Sequence, residues 1–131
     1  MFCNHPVSDL VARINNGYMA KKEIIYSPSS CLREDVLNIM KAEGYILHYS
    51  KIADGPNKNF KVHLKYTCGV PAVKEICVVS KPGRRVYVSS SKIPLVKNGL
   101  GVVVLSTSAG VIVGYEARNK NLGGEILLKI F

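Results

Sequence analysis

The chain has 131 residues, enough for one compact domain or two small ones that share an interface. Its 47% hydrophobic content excludes wholesale disorder, and its net charge of +9 points to a polyanionic partner. No apolar run reaches the roughly 20 residues that a membrane-spanning helix needs, so a spanning role is excluded; on charge, nucleic acid ranks first and an anionic membrane surface second, and no membrane partner is expected.

The first predicted element is a helix. Pro6 suits a first-turn position, where its missing N–H would be unpaired anyway. Val7, Leu10, Val11, Ile14 and Tyr18 recur at helical spacing as one apolar stripe. Asp9 stands in the first turn, where the helix dipole favours negative charge, and Gly17 weakens the end. Ile24-Ile25-Tyr26 predicts a short strand stopped by Ser27-Pro28. A second helix is capped by Ser29 or Ser30, carries a stripe of Leu32, Val36, Ile39 and Met40, and closes at Gly44 in the left-handed C-terminal position.

Tyr45 to Ile52 predicts a strand, and Asp54 to Asn59 has turn chemistry. The next strand alternates, with Phe60, Val62, Leu64 and Tyr66 on one face and Lys61, His63 and Lys65 on the other. That basic face is either solvated or an RNA contact. Gly69-Val70-Pro71 serves as a short connector. Two further strands are expected, one from Lys74 to Ser80 and one from Arg85 to Val88, on either side of Lys81-Pro82-Gly83-Arg84. The run Gly101 to Leu105 is a buried strand. A helix of one or two turns is compatible with 115–120, and Ile126 to Phe131 is a terminal strand. The fold class is therefore α+β in two small subdomains. Residues 1–68 place two helices on a short β-sheet; residues 69–131 are mostly antiparallel β with one short helix.

Charge is unevenly spread between the halves. Residues 1–66 hold nine Lys and Arg against six Asp and Glu, whereas residues 67–131 hold nine against three. No acid falls between Glu75 and Glu116, while Lys81, Arg84, Arg85, Lys92 and Lys97 do. The C-terminal half is the better anion-facing surface. Cys3, Cys31, Cys68 and Cys77 lack C-x-x-C spacing, so no structural metal is expected. With nothing resembling a secretory signal or a transit peptide, they are read as free thiols in a reducing compartment.

The densest chemistry is Ser106-Thr107-Ser108-Ala109-Gly110, at the end of the buried strand and upstream of Gly123-Gly124-Glu125. Hydroxyls donate and accept hydrogen bonds without filling space, and small neighbours let a partner come close. If the two strands pair, Glu125 lies beside the hydroxyls. Catalysis has little support. His5, His48 and His63 all lie in the first half, and no nucleophile-elbow pattern surrounds Ser106 or Ser108. A small hydrolase or nuclease using a serine with Glu125 is one rival reading. A membrane-surface or general polyanion binder is another.

Ser106-Thr107-Ser108, then Glu116-Ala117-Arg118, then Gly123-Gly124-Glu125 before a hydrophobic end resembles the signature of the small-subunit ribosomal protein eight family. The resemblance extends through Ser80-Lys81-Pro82-Gly83-Arg84-Arg85-Val86-Tyr87-Val88 and Asn98-Gly99-Leu100-Gly101. It also reaches Pro6 to Leu10 with Arg13-Ile14, and Glu43-Gly44-Tyr45-Ile46, in the same order along the chain. It implies a non-enzymatic structural constituent of the small ribosomal subunit, without cofactor, that binds the central domain of small-subunit rRNA and supports assembly. Ser106, Thr107 and Ser108 are then the specific contacts, and Glu125 supports their loop by accepting hydrogen bonds. Gly123 and Gly124 permit close RNA approach or an unusual backbone angle, or form a plain turn.

Tyr87 stacks on a base or sugar, or else fills space between the halves. Lys81 and one of Arg84 and Arg85 meet phosphates, and Arg13 of the first helix, with Asp9, matches a further RNA contact. Implied partners are neighbouring small-subunit ribosomal proteins and, in bacteria, its own messenger RNA. The implied location is the bacterial cytoplasm, with an organelle second. Four departures touch this picture: Ala109 where Lys is usual, Asn15 where a base is common, His5 for an acid, and the more apolar Ile112 to Tyr115.

Overall fold

The computed structural model describes residues Pro6–Asp54 and Asn57–Phe131. They fold as two compact units, Pro6–Lys74 and Glu75–Phe131. The fold class is α+β, with helix and antiparallel sheet in each unit. His5, Cys3 and the Gly55-Pro56 part of the expected turn lie outside the described residues.

The first unit begins with α1 (Pro6–Met19), whose buried residues are the expected Val7, Leu10, Val11, Ile14 and Tyr18, joined by Gly17. Gly17 does more than end the helix. A Cβ there would meet Ile25 Cγ2 at 2.5 Å and Leu64 Cδ1 at 3.0 Å, so the glycine lets α1 lie against the sheet. After β1 (Ile24–Pro28) comes α2 (Cys31–Ala42), capped by Ser30, whose hydroxyl accepts from the Arg33 amide at 3.2 Å. Gly44 follows its end at φ +80°, the left-handed position that glycine fills without strain.

The stripe of α2 differs from the expected one. Arg33, Val36, Leu37 and Met40 are buried, while Leu32 and Ile39 sit half-buried at its margins. Arg33 can be buried because its Nη1 donates to Asp9 Oδ2 at 2.6 Å and to Ser27 Oγ at 2.7 Å. Asp9 also accepts from Arg13 Nε at 2.8 Å, so one carboxylate ties α1 to α2. Burial alone would raise that carboxyl, but the hydrogen bonds from Arg33 and Arg13 outweigh it and hold it below the ordinary range.

Strands β2 (Ile46–Asp54) and β3 (Asn57–Leu64) form a hairpin, and β1 pairs with β3 on the other side to give the antiparallel order β1-β3-β2. β1 runs on through Pro28, which an edge strand tolerates because the missing N–H interrupts no inner ladder. Ile25, Val62 and Phe60 point to the helices, and Phe60 and Val62 are fully buried. The opposite face carries rows Ile24–His63–His48, Tyr26–Lys61–Ser50 and Pro28–Asn59–Ile52.

The expected connector at Gly69-Val70-Pro71 is instead half of a small hairpin. β4 (Tyr66–Thr67) pairs with β5 (Val70–Pro71), with Cys68 and Gly69 at φ +52° and +78° forming the two-residue turn.

The second unit is a sheet of order β6-β10-β8-β9, with β7 also on β10. Its strands are β6 (Ile76–Val78), β7 (Tyr87–Val88), β8 (Val102–Thr107), β9 (Gly110–Val113) and β10 (Gly124–Ile130). β9 is not among the expected strands; the sequence marks Ile112 to Tyr115 only as unusually apolar. α3 (Gly114–Asn119) follows it and buries Ala117 against a core of Ile93, Val103, Leu105 and Ile126. Between Ile126 and Leu128 the β8–β10 register slips by one residue. That bulge explains how three consecutive residues, Ile126, Leu127 and Leu128, are all buried in one strand.

Candidate nucleic-acid interface

The second unit's sheet brings its polar residues into one place. Glu125 on β10 pairs with Ser106 on β8 and with Tyr87 on β7. Residues paired across strands share a face, so Ser106, Glu125 and Tyr87 form a single row. Thr107 pairs with Gly110, which leaves Ser108 and Ala109 as the exposed two-residue turn of the β8–β9 hairpin. The turn is closed by its own threonine. Thr107 Oγ1 donates to the Gly110 carbonyl at 2.9 Å and accepts from the Ala109 amide at 3.2 Å. Gly110 stands at φ +106°, which a β-carbon would strain.

Glu125 has a different partner from the one the sequence suggested. Its carboxylate accepts from Arg85 Nη1 at 3.2 and 3.4 Å, and no hydrogen bond to the serine hydroxyls is present among the described residues. Its side chain is only 13% exposed against 55% for Arg85, so the acid is a fixed anchor under a reaching guanidinium. Arg84, its neighbour, belongs to the tight turn Lys81-Pro82-Gly83-Arg84. Two backbone hydrogen bonds of 2.9 Å join Lys81 to Arg84 across it. Buried Ser80 pins the base of the turn, its Oγ accepting from the Val86 amide at 3.0 Å. Lys81 and Arg84 are therefore held outward on a short rigid loop. Tyr87 is 67% exposed, so its ring faces solvent rather than filling a core.

Gly123 and Gly124 do not take an unusual backbone angle; neither has a positive φ. Their necessity is space. A Cβ on Gly123 would meet the Val88 carbonyl oxygen at 2.5 Å, and one on Gly124 would run into the Ser106 carbonyl oxygen. The pair lets β7, β10 and β8 close up at the end where the hydroxyls stand. Sequence reasoning groups these residues but misses the Glu125–Arg85 pair, because a cross-strand partner 40 positions away leaves no local signal.

The described residues hold no group of three or more His, Cys, Asp or Glu with the proximity to bind a metal ion. Cys31, Cys68 and Cys77 are exposed free thiols, and the Cys77 thiol is pushed up by its hydrogen bond to Glu75, then by burial. Arg13, the first-helix residue expected to contact RNA, bonds Asp9 and also donates from Nη1 to the Tyr26 carbonyl at 3.2 Å.

Fold and face together define a small α+β protein of two units whose second sheet presents hydroxyls, an exposed tyrosine and positive charge at closely packed backbone. A family model described as Ribosomal protein S8 matches residues 5–131. The chain belongs to that family. Among its relatives, the small ribosomal subunit protein uS8 of Mesorhizobium japonicum is 50% identical over 132 aligned positions, covering the whole of both chains. The proteins of the same name from Chelativorans sp. and Erythrobacter litoralis are 49% and 46% identical, again over their full lengths.

Proposed function

We propose that this chain is a non-enzymatic structural constituent of the small ribosomal subunit, and that it binds small-subunit rRNA directly through the Ser106–Glu125–Tyr87 face. The observation that carries the reading is the row itself: hydroxyls, an exposed ring and an anchored arginine on a face where two glycines let the strands close up. Ser106, Thr107 and Ser108 supply hydrogen bonds to riboses and base edges, and Tyr87 stacks on an unpaired base. Lys81 and one of Arg84 and Arg85 neutralise phosphates, as does Arg13 in the first unit. Glu125 supports the loop indirectly, by fixing Arg85 and by its ladder pairing with Ser106. No nucleophile-elbow pattern surrounds Ser106 or Ser108, and no histidine occurs in residues 75–131, which favours binding over hydrolysis.

The family resemblance supports the central domain as the rRNA target, neighbouring small-subunit proteins and its own messenger RNA as partners, and a bacterial-type cytoplasmic ribosome as the location. The test is binding of purified protein to a central-domain transcript and to random duplex RNA of equal length. The expected preference is at least about tenfold, roughly 1.4 kcal/mol, lost in Ser106→Ala/Ser108→Ala. Equal affinity for transcript, duplex and heparin instead means a general polyanion binder and overturns the proposal.

A further inference from the structure

We propose that the outward face of the β1-β3-β2 sheet is a second RNA-binding surface, taking unpaired bases on Tyr26 and the His48–His63 pair while Lys61, Arg13 and Lys22 meet the phosphates. It uses no residue of the Ser106–Ser108 hairpin and does not rest on that hairpin's role.

The three strands leave this face uncovered by either helix, since both helices pack on the side of Phe60 and Val62. At its middle, Tyr26 and Lys61 are cross-strand neighbours, as are His48 and His63. The two imidazoles stack at 4.0 Å between centroids, 29° from parallel, and Tyr26 is 54% exposed. Burial, then His48, then Lys61 lower the His63 imidazole from its ordinary value. Rings of this kind accept any base face without demanding a sequence.

Charge selects the partner. The Ile24, Tyr26 and Pro28 rows hold Lys61 and no Asp or Glu, and the acid of the next row, Asp54 opposite Asn57, stands at the hairpin end. Beside edge strand β1, Arg13, Lys22 and Tyr26 line a cleft of about 370 Å³, with Arg13 bonded to the Tyr26 carbonyl. A single strand laid over the sheet therefore has rings beneath its bases and cations along one side. A protein partner would want a cluster of exposed aliphatic side chains, but Ile24 and Ile52, the aliphatic members of these rows, are half-buried, and Leu47, exposed at the β2 bulge, is a single such neighbour.

The experiment is fluorescence anisotropy on the full chain with an unstructured oligouridine of about ten nucleotides, and with heparin as a polyanion lacking bases. Tyr26→Ala and His48→Ala are each expected to weaken oligouridine by about fivefold or more and leave heparin unchanged, while Tyr26→Phe and His48→Phe retain affinity. Lys61→Ala weakens both ligands and lowers the salt slope by about one. Photo-crosslinking of the unmodified chain to thiouridine-bearing oligonucleotide provides a readout that needs no variant: adducts within residues 24–28 and 48–63 are expected. Ring variants that bind like the parent, equal losses for RNA and heparin, or adducts confined to residues 75–131 would each overturn the proposal.

Discussion

The first unit's sheet carries both long helices on one face and rings, lysine and serine on the other; the second unit's sheet carries one short helix on one face and hydroxyls, glycines and arginine on the other. Both leave a polar face open, yet they are made receptive by opposite means. In the second unit the receptive feature is absence of bulky side chain, since Gly123 and Gly124 let the strands close up and the exposed Ser108-Ala109 turn presents a small hydroxyl. In the first unit it is side chain itself, aromatic and flat. The difference teaches that packing tolerance differs too. A face made of glycines fails when anything is added, whereas a face made of exposed rings fails only when something is taken away.

The largest effect should come from the tie inside the first unit. Asp9→Ala strips Arg33 of its carboxylate and leaves a buried guanidinium on Ser27 alone, which should cost about 3 kcal/mol in urea unfolding. Because the Asp9 carboxyl is held below its usual value near 3.8, its contribution is complete above that pH and fades as pH falls through the lower folded value. Acid titration of Asp9→Asn should show that part of the dependence removed.

Next comes the glycine face. Gly124→Ala drives a methyl into the Ser106 carbonyl, and a loss of about 2 kcal/mol together with weaker rRNA binding is expected by denaturation and anisotropy. Tyr26→Ala in the first unit, which only takes a ring away from solvent, should leave the unfolding midpoint nearly unchanged. Equal destabilisation by the two would erase the distinction.

Glu125→Ala separates fold from function within the second unit. An ion pair with a half-exposed arginine contributes only about 0.5 kcal/mol to stability. The same change frees Arg85 and should lower rRNA affinity by severalfold; unchanged affinity would remove Glu125 from the interface. The smallest effect is a gain. Cys68 sits at φ +52° in a two-residue turn, and Cys68→Asn should stabilise the β4–β5 hairpin by about 0.5 kcal/mol, visible as a higher midpoint.

Much of the chain was legible from local signals. The α1 stripe from Val7 to Tyr18, the Ser30 cap, the left-handed Gly44 and the buried run before Ser106 each depend on neighbours within a few residues, where periodicity and capping act. The candidate site was legible as a set of residues, through motifs matching a known family. Its wiring was not. The burial of Arg33 in the α2 stripe depends on Asp9, 24 positions earlier, and Glu125 finds Arg85 40 positions away.

The amino-acid sequence by itself determined the α+β class, the positive balance of the second half, the family and the residues worth naming. Only the tertiary structure decided which of them share a face: that Ser106, Glu125 and Tyr87 form one row, that Gly123 and Gly124 serve close packing, and that His48 stacks on His63. The reason is register. Local propensities set where strands begin and end, but which residues meet across them depends on how the whole sheet closes, and a one-residue slip would turn each to the other side.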